Sequence, residues 1–143
     1  MPVRIVVADD SAPFLAVVTE TLSAAPGLEV VGSGTTGDDA AELVAAHGPD
    51  IVVMDVEMPG GGPALVERVL AISPHTRVLC LSGRDDEETV LAMLAAGASG
   101  YVAKGGLDDD LSTCVRRCAD GMFFVIASSA DGVRRRIAEL MRD

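Results

Sequence analysis

Short runs of β-branched and aliphatic residues alternate along the chain with longer stretches in which apolar positions recur every three or four residues. The first run, VRIVVA (3–8), has the continuous apolar character of a buried strand. Ser11 can then cap a helix whose first turn holds Pro13, where a missing N–H costs nothing. Phe14, Val17, Val18, Thr21 and Leu22 form one side of that helix, and Pro26-Gly27 stops it. EVVGSG (29–34) predicts a second strand. Asp38–Ala46 predicts a second helix, ended by His47-Gly48-Pro49, and DIVVM (50–54) a third strand. A glycine- and proline-rich loop, EMPGGGP (57–63), leads into a helix with Pro63 at its first position and Ala64–Ile72 completing it. RVLCL (77–81) is a fourth strand. Asp86–Ala96 is a helix with acids at its N-terminus, where the helix dipole favours them, and Gly97 ends it. GYVA (100–103) is a fifth strand, and Leu107–Ala119 a fifth helix that stops near Gly121.

The strands are continuously apolar rather than alternating, as expected when both faces of a sheet are covered. Five such strands interleaved with five helices predict an α/β fold, a doubly wound parallel sheet with right-handed crossovers. Residues 122–143 fall outside this alternation. MFFVI is apolar, and SSADGVRRRIAELMRD reads as a final helix with Val133, Ile137, Leu140 and Met141 on one stripe. The expected organisation is a domain over 1–121 followed by a linker or dimerisation helix over 122–143.

Composition narrows the class. Of 143 residues, 49% are hydrophobic, enough for one domain with its own core. Aromatics are only 3%, with no Trp, so Val, Leu, Ala and Ile must build that core. No apolar run reaches the roughly 18 residues of a membrane span, and the N-terminus lacks a signal-peptide layout, so the expected location is the cytoplasm. The odd cysteine count (Cys80, Cys114, Cys118) argues against a disulfide framework. Cys114 and Cys118 share a helix face, where a metal pair is conceivable, but small buried hydrophobes are the expected role. The net charge of −11 disfavours direct contact with nucleic acid. The basic cluster Arg134–Arg136 reads as a solvated helix face. His47 and His75 read as surface residues without chemistry.

In an open α/β sheet, sites form at the carboxyl ends of the strands. Asp9 and Asp10 follow the first strand, Asp55 the third, Ser82-Gly83 the fourth and Lys104 the fifth. Three converging carboxylates need compensation. Lys104 supplies one positive charge, and a hard, oxygen-liganded divalent cation suits the rest. No GxxxxGK[ST] loop is present, nor GxGxxG after the first strand, so a nucleotide pocket is not expected.

These motifs, Asp9-Asp10, MDVEMPG (54–60), LSG (81–83) and GYVAKG (100–105), carry a resemblance over about residues 3–120. The chain resembles the CheY-like receiver domains of two-component response regulators, and most of all the NarL/FixJ group, whose output is a LuxR-type helix-turn-helix. The resemblance implies a flavodoxin-like strand order 2-1-3-4-5 and an aspartate switch rather than a turnover enzyme. Asp55 would be the phosphoacceptor. Mg²⁺ would be held by Asp10 and Asp55 and by the Glu57 backbone carbonyl, with Asp9 acting through water. Lys104 would pair with Asp55 and then with a phosphoryl oxygen. Ser82 would donate its hydroxyl to that group, and Tyr101 would rotate inward as the aromatic switch. Glu57 and Arg84 would flank the site and set the phosphate's lifetime. The donor would be a sensor histidine kinase or a small acyl phosphate. The readout would be the face of the fourth helix, fifth strand and fifth helix, with Leu91, Met93, Leu94 and Leu111 as candidates, leading to homodimerisation or to a DNA-binding output domain absent from this chain. A stand-alone receiver, or a pseudo-receiver that never carries phosphate, is the alternative. In the family the lysine is often followed by proline in a cis bond; here Gly105 and Gly106 follow, a looser loop.

Overall fold

The computed structural model describes residues 1–104 and 111–142. Among these, strands and helices alternate without exception: β1 (Val3–Ala8), α1 (Ala12–Ala24), β2 (Leu28–Gly34), α2 (Gly37–His47), β3 (Ile51–Met54), α3 (Pro63–Ile72), β4 (Arg77–Ser82), α4 (Glu87–Ala95), β5 (Gly100–Ala103), α5 (Leu111–Ala119), β6 (Phe124–Ile126) and α6 (Ala130–Arg142). All pairings are parallel, in the order β2-β1-β3-β4-β5-β6. The expected order holds for five strands, and the expected count does not. The described residues form six strands and six helices.

The apolar strands divide their side chains between two helical layers, as period-two geometry requires. Ile5, Val7, Ile51, Val53, Leu79 and Val102 face α1 and α5. Val6, Ala8, Val52, Met54, Val78 and Tyr101 face the layer of α2, α3, α4 and α6. Burial on both sides explains why the strands read as unbroken hydrophobic runs.

The helix starts follow their signals. The Ser11 hydroxyl accepts from the Phe14 N–H, Thr36 caps α2 by accepting from Asp39 N–H, and Asp86 caps α4 by accepting from Thr89 N–H. The inward face of α1 differs from the expected one. Val18 and Leu22 are buried with Phe14 and Leu15 against them, whereas Val17 is 60% exposed and Thr21 also faces solvent. Residues 17 and 21 lie about a quarter-turn from the line through 18 and 22. Cys114 and Cys118 are buried in the α1/α5 layer as small hydrophobes. The Arg77 guanidinium donates to the carbonyls of Cys118 and Ala119, at 3.1 and 2.8 Å, and ties the end of α5 to the start of β4. The predicted opening of the fifth helix at Leu107 and the Gly105-Gly106 loop lie outside the described residues.

The loop after β3 is anchored despite its three glycines. Gly37 N–H donates to the Pro59 carbonyl at 2.8 Å. A Cβ on Gly37 would stand 2.1 Å from the Gly60 carbonyl oxygen, so only glycine allows this approach.

The C-terminal segment is part of the sheet and its cover. Its three-residue strand lies along β5, pairing Gly100 with Phe124, Tyr101 with Val125 and Val102 with Ile126. A strand this short carries no periodicity of its own, and the edge of β5 is what orders it. Beyond it α6 packs on α4. Of its expected stripe, Val133 is buried and Ile137 rests on the core, while Leu140 and Met141 are exposed. The expected readout residues divide as well: Met93 and Leu111 are buried, and Leu91 and Leu94 are half-buried against the core.

Candidate functional site

Register brings the polar residues together. Ala8 and Met54 are partners across β1 and β3, so the residues that follow them, Asp9 and Asp55, emerge side by side. Asp55 N–H donates to the Ala8 carbonyl at 3.0 Å and Asp9 N–H to the Gly34 carbonyl at 3.1 Å, fixing both backbones at the sheet edge. Ser82 is paired with Ala103, which places it beside the start of Lys104.

Asp9, Asp10 and Asp55 each offer a carboxylate oxygen, and these atoms lie within 4.8 Å of one another. Asp9 and Asp55 are buried and Asp10 is exposed. Asp9 is held at both oxygens: Oδ1 accepts from Ser11 N–H at 2.8 Å, and Oδ2 accepts from Lys104 Nζ at 2.8 Å. Lys104 Nζ is 3.7 Å from Asp55 Oδ2. The lysine therefore pairs more closely with Asp9 than with Asp55, the partner expected from the resemblance. Asp55 Oδ1 accepts from Glu57 N–H at 3.2 Å. The ammonium also stands 4.0 Å from the centre of the Phe14 ring, a cation–π contact from the first turn of α1. The periodicity places Phe14 on the apolar side of its helix; its position one turn beyond Asp9-Asp10 was the available signal for this contact.

Three carboxylates against one ammonium leave an uncompensated negative charge in a partly desolvated pocket. Like charges at this spacing repel by several kcal/mol before screening, on the order of 4 kcal/mol per pair at 4 Å in a surface-like dielectric. All donors are oxygens, a set that suits a hard divalent cation and not a soft one.

The loop after β4 forms the opposite wall. Ser82 is fully buried, and its hydroxyl accepts from Arg84 N–H at 3.2 Å. Tyr101 is fully buried, and its hydroxyl donates to the Arg84 carbonyl at 2.5 Å. The resemblance expects Tyr101 to rotate inward, but its ring is already buried between the sheet and its helices, and that burial pushes its phenol up to about 12. The Arg84 side chain is half-exposed and pairs with Asp86 at 3.0 Å rather than with the carboxylate cluster. The Glu57 carboxylate lies beside Gly83 at the rim. Cys80 sits between Met54 and Tyr101 in the sheet, and burial pushes its thiol up to about 12.

His75 makes structural bonds with Ser73 Oγ and the Gly48 carbonyl, far along the chain from the cluster. No helix among the described residues is long and apolar enough to cross a membrane.

Comparison with known proteins supplies the family. Residues 5–116 match the family model of the response regulator receiver domain. The chain is 36% identical over 124 residues to the transcriptional regulatory protein DegU of Brevibacillus brevis, covering 86% of this chain and 52% of DegU. It is 34% identical over 124 residues to the oxygen regulatory protein NreC of Staphylococcus epidermidis, covering 85% of this chain and 57% of NreC. The chain therefore spans a little over half the length of these relatives. Among solved structures, the signal receiver domain of NarL from Mycobacterium tuberculosis superposes with a TM-score of 0.79 at 36% identity, covering 84% of this chain and 98% of that one. A LuxR-family two-component response regulator from Aurantimonas superposes with a TM-score of 0.84 at 25% identity over the whole of both chains. An acidic cluster and a lysine at the carboxyl edge of a parallel sheet, and a family model that spans most of the sequence, lead to one conclusion: the chain belongs to the response regulator receiver family and is a receiver domain of a two-component response regulator.

Proposed function

We propose that Asp55 is the phosphoacceptor of this receiver. The observation that carries the proposal is the convergence of Asp9, Asp10 and Asp55 with Lys104 at the edge formed by β1, β3 and β5. A carboxylate oxygen of Asp55 attacks phosphorus in line and forms a new O–P bond. The P–N bond of a phosphohistidine on a sensor histidine kinase breaks, or the P–O bond of a small acyl phosphate, and the imidazole or carboxylate leaves with the bonding electrons. Two anionic partners must meet, so charge neutralisation carries most of the catalysis. Asp10, Asp55 and the Glu57 backbone carbonyl would hold Mg²⁺, with Asp9 through water, and the all-oxygen donor set fits that ion. Bound there, Mg²⁺ would neutralise phosphoryl oxygens.

Lys104 swings from Asp9 toward the new phosphoryl group, a short step for an ammonium already within 3.7 Å of Asp55. Ser82 turns its hydroxyl from Arg84 N–H to a phosphoryl oxygen, and the loop after β4 follows. Tyr101 moves with that loop, because its hydroxyl is bonded to the Arg84 carbonyl. Glu57 and Arg84 at the rim set the phosphate's lifetime; for Arg84 this requires leaving Asp86. The altered surface of α4, β5 and α5 then controls homodimerisation or a DNA-binding output domain of a longer cytoplasmic protein. The transcriptional role of DegU and the acidity of this segment support that division of labour.

The test is the intact mass of the wild type and of Asp55→Asn after incubation with Mg²⁺ and acetyl phosphate. The expected result is one phosphoryl adduct on the wild type, absent from Asp55→Asn and abolished by chelator. A wild type that stays unmodified by acetyl phosphate and by a panel of phosphorylated histidine kinases would overturn the reading in favour of a pseudo-receiver.

A further inference from the structure

The β6–α6 unit touches the loop after β4. Ser128, between β6 and α6, donates its hydroxyl to Asp85 Oδ2 at 2.5 Å. Four residues on, a Cβ at Gly132 would lie 2.5 Å from Glu87 Oε2, so the first turn of α6 rests on the first turn of α4. Val133 is buried in the same apolar cluster as Tyr101, Val90 and Met93, with Val125, Ala127 and Ile137 against it. The loop is thus tied at one end to the site, through Arg84 N–H on Ser82 Oγ, and at the other to the turn that leads into α6, through Asp85. Tyr101 lies between, with its hydroxyl on the loop and its ring in the cluster that holds α6.

A second observation concerns the start of α6. The Ser129 carbonyl accepts from Val133 N–H, which puts Ser129 at the capping position, yet its hydroxyl is buried without a hydrogen-bond partner. An unpaired buried hydroxyl is unfavourable, and a helix that shifts can satisfy it. The present seat of α6 is therefore held by its contacts with the loop and α4, not by its own cap.

We propose that the β6–α6 unit is a latch on the β4–α4 loop. Drawing the loop toward a phosphoryl group on Asp55 breaks the Ser128–Asp85 bond and loosens α6 from α4. The proposal rests on Asp55 as phosphoacceptor and adds that the signal leaves through α6, the element that covers α4.

Amide hydrogen exchange of the 143-residue chain tests it, with and without Mg²⁺ and beryllofluoride as a non-covalent phosphoryl mimic. Loading is read separately by fluorine NMR, and α1 serves as internal control. In the wild type, loading should speed exchange across residues 130–142 by roughly two- to tenfold, the range set by one net hydrogen bond. Ser128→Ala should show faster exchange there before loading and a smaller increment on loading, whereas Ser128→Thr, which keeps the hydroxyl, should behave as wild type. A loaded wild type with unchanged exchange in α6 would overturn the latch and leave the phosphoacceptor reading intact. Ser128→Ala exchanging as wild type in both states would also overturn it. Failure of beryllofluoride to load would overturn the phosphoacceptor reading and the latch with it.

Discussion

Lys104 faces more negative charge than it can balance, and its removal should show how much. Lys104→Ala leaves Asp9 and Asp55 buried with no cation between them. Breaking a buried pair from one side is costly, and Lys104 is partly exposed, so the variant should lose about 3 kcal/mol of unfolding free energy in chelator, the low end for such a pair. Most of that loss should return at millimolar Mg²⁺; urea unfolding in the two buffers checks both. Cys80 gives a second residue-scale expectation. Its thiol is buried and pushed up to about 12, so at pH 8 it should resist a thiol reagent in the folded chain and react at once in urea. At this scale the sequence was informative about identity and less so about partnership. Asp9, Asp10, Asp55, Ser82 and Lys104 could be read from their positions after apolar runs. That Lys104 lies nearer Asp9 than Asp55, and over Phe14, depends on side-chain packing across residues about ninety apart, which no local pattern records.

Among the elements, α1 offers the sharpest test of which face is buried. Leu22→Ala should cost about 3 kcal/mol, as for a fully buried leucine, while Val17→Ala should fall within about 0.5 kcal/mol of wild type. Thermal or urea unfolding separates the two readily. Helix α4 carries a pH signature. Hydrogen bonds from the Thr89 hydroxyl and N–H hold the Asp86 carboxyl down at about 2, below the usual 3.8. The folded chain binds this proton less readily than the unfolded chain does, so the cap's contribution is complete above about pH 4. It fades as pH falls toward 2. Asp86→Ala should be less stable than wild type at neutral pH, and the gap should narrow across that acid window. The Ser11 cap was legible because it acts on a neighbour three residues away, as do the Thr36 and Asp86 caps that the structure adds. The face of α1 was not, because Val17 and Val18 are equally apolar, and only packing against the assembled layer decides between them.

For the whole molecule, the boundary that the sequence suggested at residue 121 has a consequence. Val133 and Ile137 cover the layer that contains Tyr101 and α4, and β6 covers the edge of β5. A chain ending at Gly121 should unfold at a lower temperature than the full chain and exchange amides faster in β5 and α4. Equal behaviour of the two chains would support the expected division at residue 121. Five βα units announced themselves through length and repetition. The sixth did not, because FVI is too short for a pattern and its helix is polar on most of its surface. Its place comes from the free edge of β5, a property of the assembled sheet.

The burial of Tyr101 has an optical corollary. It is the chain's single tyrosine, and there is no tryptophan, so absorption near 280 nm and the fluorescence excited there originate almost wholly from one ring. That ring is sealed between sheet and helices and bonded to the loop that borders Asp55. The unlabelled protein therefore carries its own site-specific chromophore. In alkali its phenolate band should rise late, near pH 12 or at unfolding, and any ligand that shifts the loop should change the near-ultraviolet spectrum of the entire molecule through this one residue.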